Sequence, residues 1–207
     1  YEISACLVGS EMCIRDRVTP VEETMQALID IVRSGKALYA GISKYPPREQ
    51  RIACDILREA RVPCLVSQYR ASIFDTVAIR ENFPVAAANG SGIVCFSPLA
   101  QGLLTDKYLN GIPAHSRAAN PDGYLKRSDV TPEKVEAARR LGEIAARRGE
   151  SLASMAIAWL LADSRVTSVI IGASSVSQLL ANLKSLESPA FTPDELREID
   201  AIVAQIR

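Results

Sequence analysis

Four apolar runs in this chain each finish in small or polar residues. ALYAGIS, residues 37–43, closes on Gly41, Ile42 and Ser43, and CLVSQYR, residues 64–70, carries Ser67 and Gln68. GIVCFSPL, residues 92–99, closes on Phe96, Ser97, Pro98 and Leu99, and VTSVIIGA, residues 166–173, runs through Gly172 and Ala173 to Ser174. Hydroxyls, one carboxamide and one aromatic face are groups that can hold a flat, polar heterocycle. The fourth run leads straight into a helix start at Ser175, where free backbone N–H groups and the helix dipole favour a phosphate. Together these form an inventory suited to a dinucleotide. Neither GxGxxG nor GxxxxGK[ST] occurs, so a Rossmann fingerprint and a P-loop are both absent.

The elements that must position these residues alternate regularly. Thr19, Pro20 and Glu22 have capping-box spacing, and Val21, Met25, Leu28 and Val32 recur at helical period until Gly35. Pro47 opens a helix to about Ala60, and a weaker helix over 76–89 is expected to break near Pro84. Residues 100–130 hold Gly102, Gly111, Pro113, Pro121 and Gly123 with little periodicity, which predicts a long functional loop. Thr131 and Pro132 start a helix to about Arg148, and Ser151 starts another carrying Met155, Trp159 and Leu160, with Trp159 read as core. Ser175 and Gln178 read as a cap over a helix with Leu179, Leu180, Leu183 and Leu186 apolar, and Thr192 to Glu195 makes a last capping box. Val- and Ile-rich strands separated by helices mean βαβ units and a parallel sheet. Periodicity leaves two α/β architectures open: a small doubly wound sheet, or half of a (βα)8 barrel.

Composition narrows the class. The 207 residues are 48% hydrophobic, enough for a sizeable core, and 24 basic residues balance 24 acidic ones. A balanced charge offers no field to gather nucleic acid or an anionic membrane, and no apolar run approaches the ~20 residues of a membrane span. The expected partner is a small molecule and the expected compartment the cytoplasm. Cys6, Cys13, Cys54, Cys64 and Cys95 lack CxxC spacing and read mostly as buried small hydrophobes, with no metal site implied. Residues 1–17 fit no element, and CLVGSEMCIRDR resembles translated adapter sequence, so 1–17 is set aside as a non-native leader to a domain over 18–207.

The strings TPVEET, SGKALYAGIS, FSPLAQGLLTDKYLNGIP, SRVTSVIIGASSVSQLLANL and FTPDEL resemble the aldo-keto reductase superfamily. The likeness is to its L-glyceraldehyde 3-phosphate reductase branch, kin of the potassium-channel β subunits. It implies an α/β fold, the C-terminal half of a (βα)8 TIM barrel in about four βα units, with the N-terminal half missing. It also implies an NADP (NADPH) cofactor. By this resemblance Ser43, Lys44 and Gln68 would hold the nicotinamide carboxamide and Phe96 would stack on its ring. Ser97, Pro98, Leu99, Ala100 and Gln101 would wrap the pyrophosphate, and Lys107 and Arg117 would close over the phosphates. Gly172, Ser174, Gln178 and Asn182 would grip the adenosine end.

Three positions depart from the family pattern. Lys44 stands where Asn or Ser is usual, Ser175 where the nearest relatives carry an Arg for the 2′-phosphate, and Ala181 where a Glu would meet the adenine. The family's catalytic Asp, Tyr, Lys and His fall before Thr19 in its order, and His115, the one histidine, matches none of them. The resemblance thus implies a fragment, inactive as written and a poor cofactor binder. Its parent would reduce small aldehydes such as L-glyceraldehyde 3-phosphate or methylglyoxal by hydride transfer, with room for a homo-oligomer. The alternative is a non-catalytic, nicotinamide-nucleotide-sensing subunit of the channel β type.

Overall fold

The computed structural model describes residues 18–206, so the leader read over 1–17 lies outside the described residues. The helices are α1 (Val21–Arg33), α2 (Pro47–Glu59), α3 (Val77–Glu81), α4 (Phe83–Ala88), α5 (Pro132–Arg147), α6 (Leu152–Leu161), α7 (Val176–Leu183) and α8 (Pro193–Val203). The strands are β1 (Ala40–Ser43), β2 (Cys64–Arg70), β3 (Gly92–Phe96) and β4 (Val166–Ile170). They form one four-stranded parallel sheet, hydrogen-bonded in chain order β1-β2-β3-β4. A doubly wound sheet reverses direction at a switch point, whereas a barrel adds each strand beside the last. Among these four strands no reversal occurs.

Two compact units divide the chain. The first comprises residues 18–70 and Val77–Val94, and its core gathers Met25 and Ile29 of α1, Ile42 of β1, and Ala53, Cys54 and Leu57 of α2. The helical period of the sequence is what brings these side chains to one face. A buried amide network sets the α3–α4 break: Asn82 Nδ2 donates to the Tyr45 carbonyl at 2.8 Å and to Gln50 Oε1 at 2.9 Å. Pro84, in the first turn of α4, needs no N–H partner there, and the break falls where its ring predicts.

Gly41 shows how tightly β1 and β2 approach. A Cβ on it would lie 2.6 Å from Val66 Cγ2 and 3.0 Å from the Val66 carbonyl oxygen. Gly41→Ala is therefore expected to destabilise the protein by about 1–3 kcal/mol, the range for overpacking a close contact. A lowered urea midpoint at unchanged slope is the measurement, and an unchanged midpoint would contradict the packing.

The second unit, Ala71–Thr76 with residues 95–206, packs α5, α6 and α8 around Leu141, Ile144, Met155, Ala156, Ile199 and Ile202. Trp159 lies partly buried against this core, as read from its stripe. Thr131, Ser151 and Thr192 each cap a helix by accepting the N–H three residues on, and Thr192 and Glu195 form the complete reciprocal box.

Three expectations need correction. α1 starts one residue later than expected, with Pro20 at the N-cap and no side-chain cap, so the box read at Thr19 and Glu22 does not form. The 100–130 segment is not structureless. It folds as short 3-10 turns at Ala100–Gly102, Asp106–Tyr108, Arg117–Ala119 and Arg127–Asp129 over a small core of Leu103, Tyr108, Ala118 and Leu125. β1, β3 and β4 are shorter than their apolar runs, and β4 is only partly buried, with Ile170 46% exposed. Beside it in sequence, Val176, Leu179, Leu180 and Leu183 of α7 are also exposed, although their spacing is that of a core-facing helix.

Candidate functional site

Within the first unit, β1 and β2 run parallel with Ser43 opposite Gln68. The Ser43 hydroxyl donates to the Gln68 carbonyl at 3.2 Å, and the Lys44 N–H donates to the same oxygen at 3.0 Å. Both Ser43 and Gln68 are buried, at 6% and 9% exposure. Lys44 holds φ at +59°, a left-handed conformation that a non-glycine residue adopts at a cost. The structure thus gathers Ser43, Lys44 and Gln68 at the C-terminal ends of two adjacent strands, where α/β folds bind ligands.

Within the second unit, β3 ends at Phe96, whose ring is half-buried, and the chain leaves the strand through Ser97 at φ +56°. Pro98 and Leu99 lead into a second left-handed stretch at Ala100, Gln101 and Gly102, with φ of 47°, 62° and 102°. The turn is held by its own bonds: the Ala100 N–H donates to the Ser97 carbonyl and the Gly102 N–H to the Leu99 carbonyl. Gln101 Nε2 donates to Ser97 Oγ at 3.1 Å, and Arg117 Nη1 donates to Gln101 Oε1 at 2.8 Å. Ser97, Gln101 and Arg117 therefore form one hydrogen-bonded row ending in a solvent-facing guanidinium.

Gly172 adjoins that guanidinium. A Cβ placed on Gly172 would sit 3.7 Å from Arg117 Nη2, so the absent side chain leaves the charge a clear face. Lys107 lies beside the same turn, its Cδ 3.9 Å from where a Gly102 Cβ would be. The juxtaposition of Arg117 with Gly172 was invisible in the spacing of either residue; only the turn at Arg117–Ala119 creates it.

At the start of α7, the sequence left Gln178 between two roles. Ser175 is the N-cap and accepts the Gln178 N–H at 3.2 Å, as the cap pattern requires. The Gln178 carboxamide does not complete a box on Ser175. Its Oε1 instead accepts the Ser174 N–H and the Ser174 hydroxyl, each at 2.9 Å. Ser174 and Gln178 are exposed, while Asn182, one turn further along, is buried at 7%. His115 is exposed in the 100–130 segment.

Among the described residues no helix is long and apolar enough to cross a membrane. The family model for the aldo/keto reductase family matches residues 13–204. The chain belongs to the aldo/keto reductase family. The match begins inside the 1–17 segment set aside as a leader. The chain is 43% identical over 193 residues to an L-glyceraldehyde 3-phosphate reductase of Escherichia coli strain K12, covering 91% of the chain and 56% of the relative. It is 37% identical over 196 residues to a probable voltage-gated potassium channel subunit beta of Oryza sativa subsp. japonica, covering 91% of the chain and 59% of the relative. A solved glycerol dehydrogenase from Gluconobacter oxydans shares the fold with a TM-score of 0.73 at 24% identity, over 91% of the chain and 55% of that structure. The chain spans a little over half the length of the two curated relatives and of the solved structure.

Proposed function

We propose that this aldo/keto reductase chain is the dinucleotide-holding part of an NADP(H)-dependent reductase of small aldehydes, of the L-glyceraldehyde 3-phosphate or methylglyoxal kind. The four βα units are the C-terminal ones of an eight-unit barrel, in keeping with their unreversed strand order. The observation that carries the reading is the Ser97–Gln101–Arg117 row with Gly172 open beside it. An exposed guanidinium, fixed at one nitrogen and clear on its flank, fits a pyrophosphate, because it can offer paired donors to an anion.

In this assignment Ser43, Lys44 and Gln68 hold the carboxamide, and Phe96 offers its half-buried face to the nicotinamide. Ser97 through Gln101, with Lys107 and Arg117, hold the phosphates. Gly172, Ser174, Gln178 and Asn182 take the adenosine end. Bound, the dinucleotide would supply hydride to a carbonyl carbon. The chain's own residues bind and orient it. None is assigned as the proton donor, since the tetrad falls on family segments that precede Thr19, and His115 corresponds to none of its members.

Ser175 is spent on capping α7 and pairs with the Ser177 hydroxyl at 2.9 Å, so it brings no charge to a 2′-phosphate. The choice of NADP over NAD therefore rests on the family likeness. Fluorescence titration of the chain with NADPH and NADH tests this. Weak but saturable binding with NADPH ahead is the expected outcome, and equal affinities would contradict the NADP assignment.

The likeness to a channel subunit supports a second reading, a nicotinamide-nucleotide sensor without turnover. Coding sequence upstream of the Thr19 codon discriminates the two. A complete Asp, Tyr, Lys and His set supports the reductase, and a broken set supports the sensor.

A further inference from the structure

Asparagine is followed by glycine at Asn89–Gly90, in the first unit, and at Asn110–Gly111, in the second. Asparagine is a thermolabile residue, and this dipeptide can react with itself. The glycine backbone nitrogen attacks the carbonyl carbon of the asparagine side chain, and no Cβ on the second residue hinders the approach. In a folded chain the reaction depends on what holds the carboxamide and that nitrogen. The two sites differ on both counts.

Asn89, the C-cap of α4, is held at both ends of its carboxamide. Its Nδ2 donates to the Val85 carbonyl at 2.9 Å, and its Oδ1 accepts from Arg58 Nη1 at 2.8 Å. The Gly90 N–H donates to the Ala87 carbonyl at 3.0 Å. All three bonds must break before Asn89 can react. Asn110 lies two residues beyond the Asp106–Tyr108 turn and is exposed, and among the described residues no group hydrogen-bonds its carboxamide. The Gly111 N–H donates only to the Tyr108 carbonyl, at 3.3 Å, just beyond the usual range. Gly111 is exposed at φ +106°, and no atom outside its chain neighbours lies within 4 Å of where a Cβ would stand. A ring closing there meets nothing. Asp122–Gly123, which could isomerise by the same route, is packed: a Cβ on Gly123 would lie 3.0 Å from the Arg117 carbonyl oxygen. Asn120 precedes Pro121, whose nitrogen carries no proton to give up.

We propose that Asn110–Gly111 is a self-modification site, at which the folded chain converts a side-chain amide into a carboxylate. The Gly111 nitrogen gives up its proton and bonds to Asn110 Cγ. The Cγ–Nδ2 bond then breaks, and the nitrogen leaves as ammonia with that proton. The product is a five-membered succinimide. Water adds to one of its two carbonyl carbons and the ring opens, to aspartate on one side and to isoaspartate on the other. A water is consumed and an ammonia released, with nothing oxidised or reduced. Either product adds a negative charge to the 100–130 segment, and isoaspartate also lengthens its backbone by a carbon atom.

The test holds the full chain at mildly alkaline pH in water enriched in heavy oxygen, digests it with trypsin and separates the peptides before mass spectrometry. Peptide 108–117 reports Asn110 and peptide 81–107 reports Asn89. In the folded chain, 108–117 should divide into aspartyl and isoaspartyl forms, each carrying a solvent oxygen, while 81–107 keeps its amide. In urea both peptides should react, because the bonds that hold Asn89 are then gone. Asn110→Gln should leave 108–117 unmodified, since the longer side chain closes the ring poorly. Persistence of the Asn110 amide in the folded chain, with its loss in urea, would overturn the proposal. So would equal rates at Asn89 and Asn110 in the folded chain, or products without solvent oxygen.

Discussion

Arg148→Ala is expected to destabilise the second unit by about 3–5 kcal/mol, the loss typical of removing one partner of a buried ion pair. The Arg148 side chain is 3% exposed and spends its whole guanidinium: Nε donates to Glu150 Oε1 at 2.6 Å and Nη1 to Glu195 Oε2 at 2.9 Å. Its Nη2 donates to Ser188 Oγ at 3.1 Å and to the Pro189 carbonyl at 2.5 Å. The cation also lies 3.9 Å above the Phe191 ring. One side chain thus joins the end of α5 to the segment that leads into α8.

The two carboxylates would respond differently to its removal. Glu195 keeps the Thr192 N–H at 2.7 Å, the first cause that holds its carboxyl below the usual range. Glu150 is 10% exposed, its Oε2 is buried without a partner, and without Arg148 it would retain only the Ser188 hydroxyl at 3.0 Å. The uncompensated charge on Glu150 should therefore carry most of the cost. Adding Glu150→Gln to Arg148→Ala should return part of the stability, a non-additivity read from urea midpoints. A single-variant loss below about 1 kcal/mol, the scale of an exposed pair, would show that the network contributes little.

The second large effect concerns ligand binding. Arg117→Ala should weaken NADPH binding by about 10–100-fold, since a hydrogen bond to a charged group contributes about 1.5–3 kcal/mol. Arg117 is pre-oriented by Gln101 and Gln101 by Ser97, so Gln101→Ala should give a smaller loss in the same direction. Gly172 supplies an independent control. Alanine there would reach only ordinary contact with Nη2 at 3.7 Å, while Leu would crowd the guanidinium and mimic its removal. Added salt should weaken wild-type binding more than that of Arg117→Ala, because the charge is exposed. Unaltered affinity in Arg117→Ala would place the phosphates elsewhere.

What was legible in the sequence was local. Thr131, Ser151, Ser175 and Thr192 were readable as caps because each accepts an N–H only three residues away. The break before Pro84 was readable because a ring without an N–H acts on its own turn. β2 matched its apolar run from Cys64 to Arg70. Thr19 misled because Pro20 took the N-cap position and α1 began with Val21.

Tertiary structure decided the rest, wherever a side chain had a distant partner to choose. Gln178 could have closed a box on Ser175, and its carboxamide went to Ser174. Arg117 reached Gln101 and the flank of Gly172 only because the 100–130 segment collapsed onto a small core of its own. Arg148 became a five-way junction through the packing of elements far apart in sequence. Periodicity assigns a residue to a face of its own element. Which residue of another element it meets there depends on how the elements pack, and a local pattern carries no information about that.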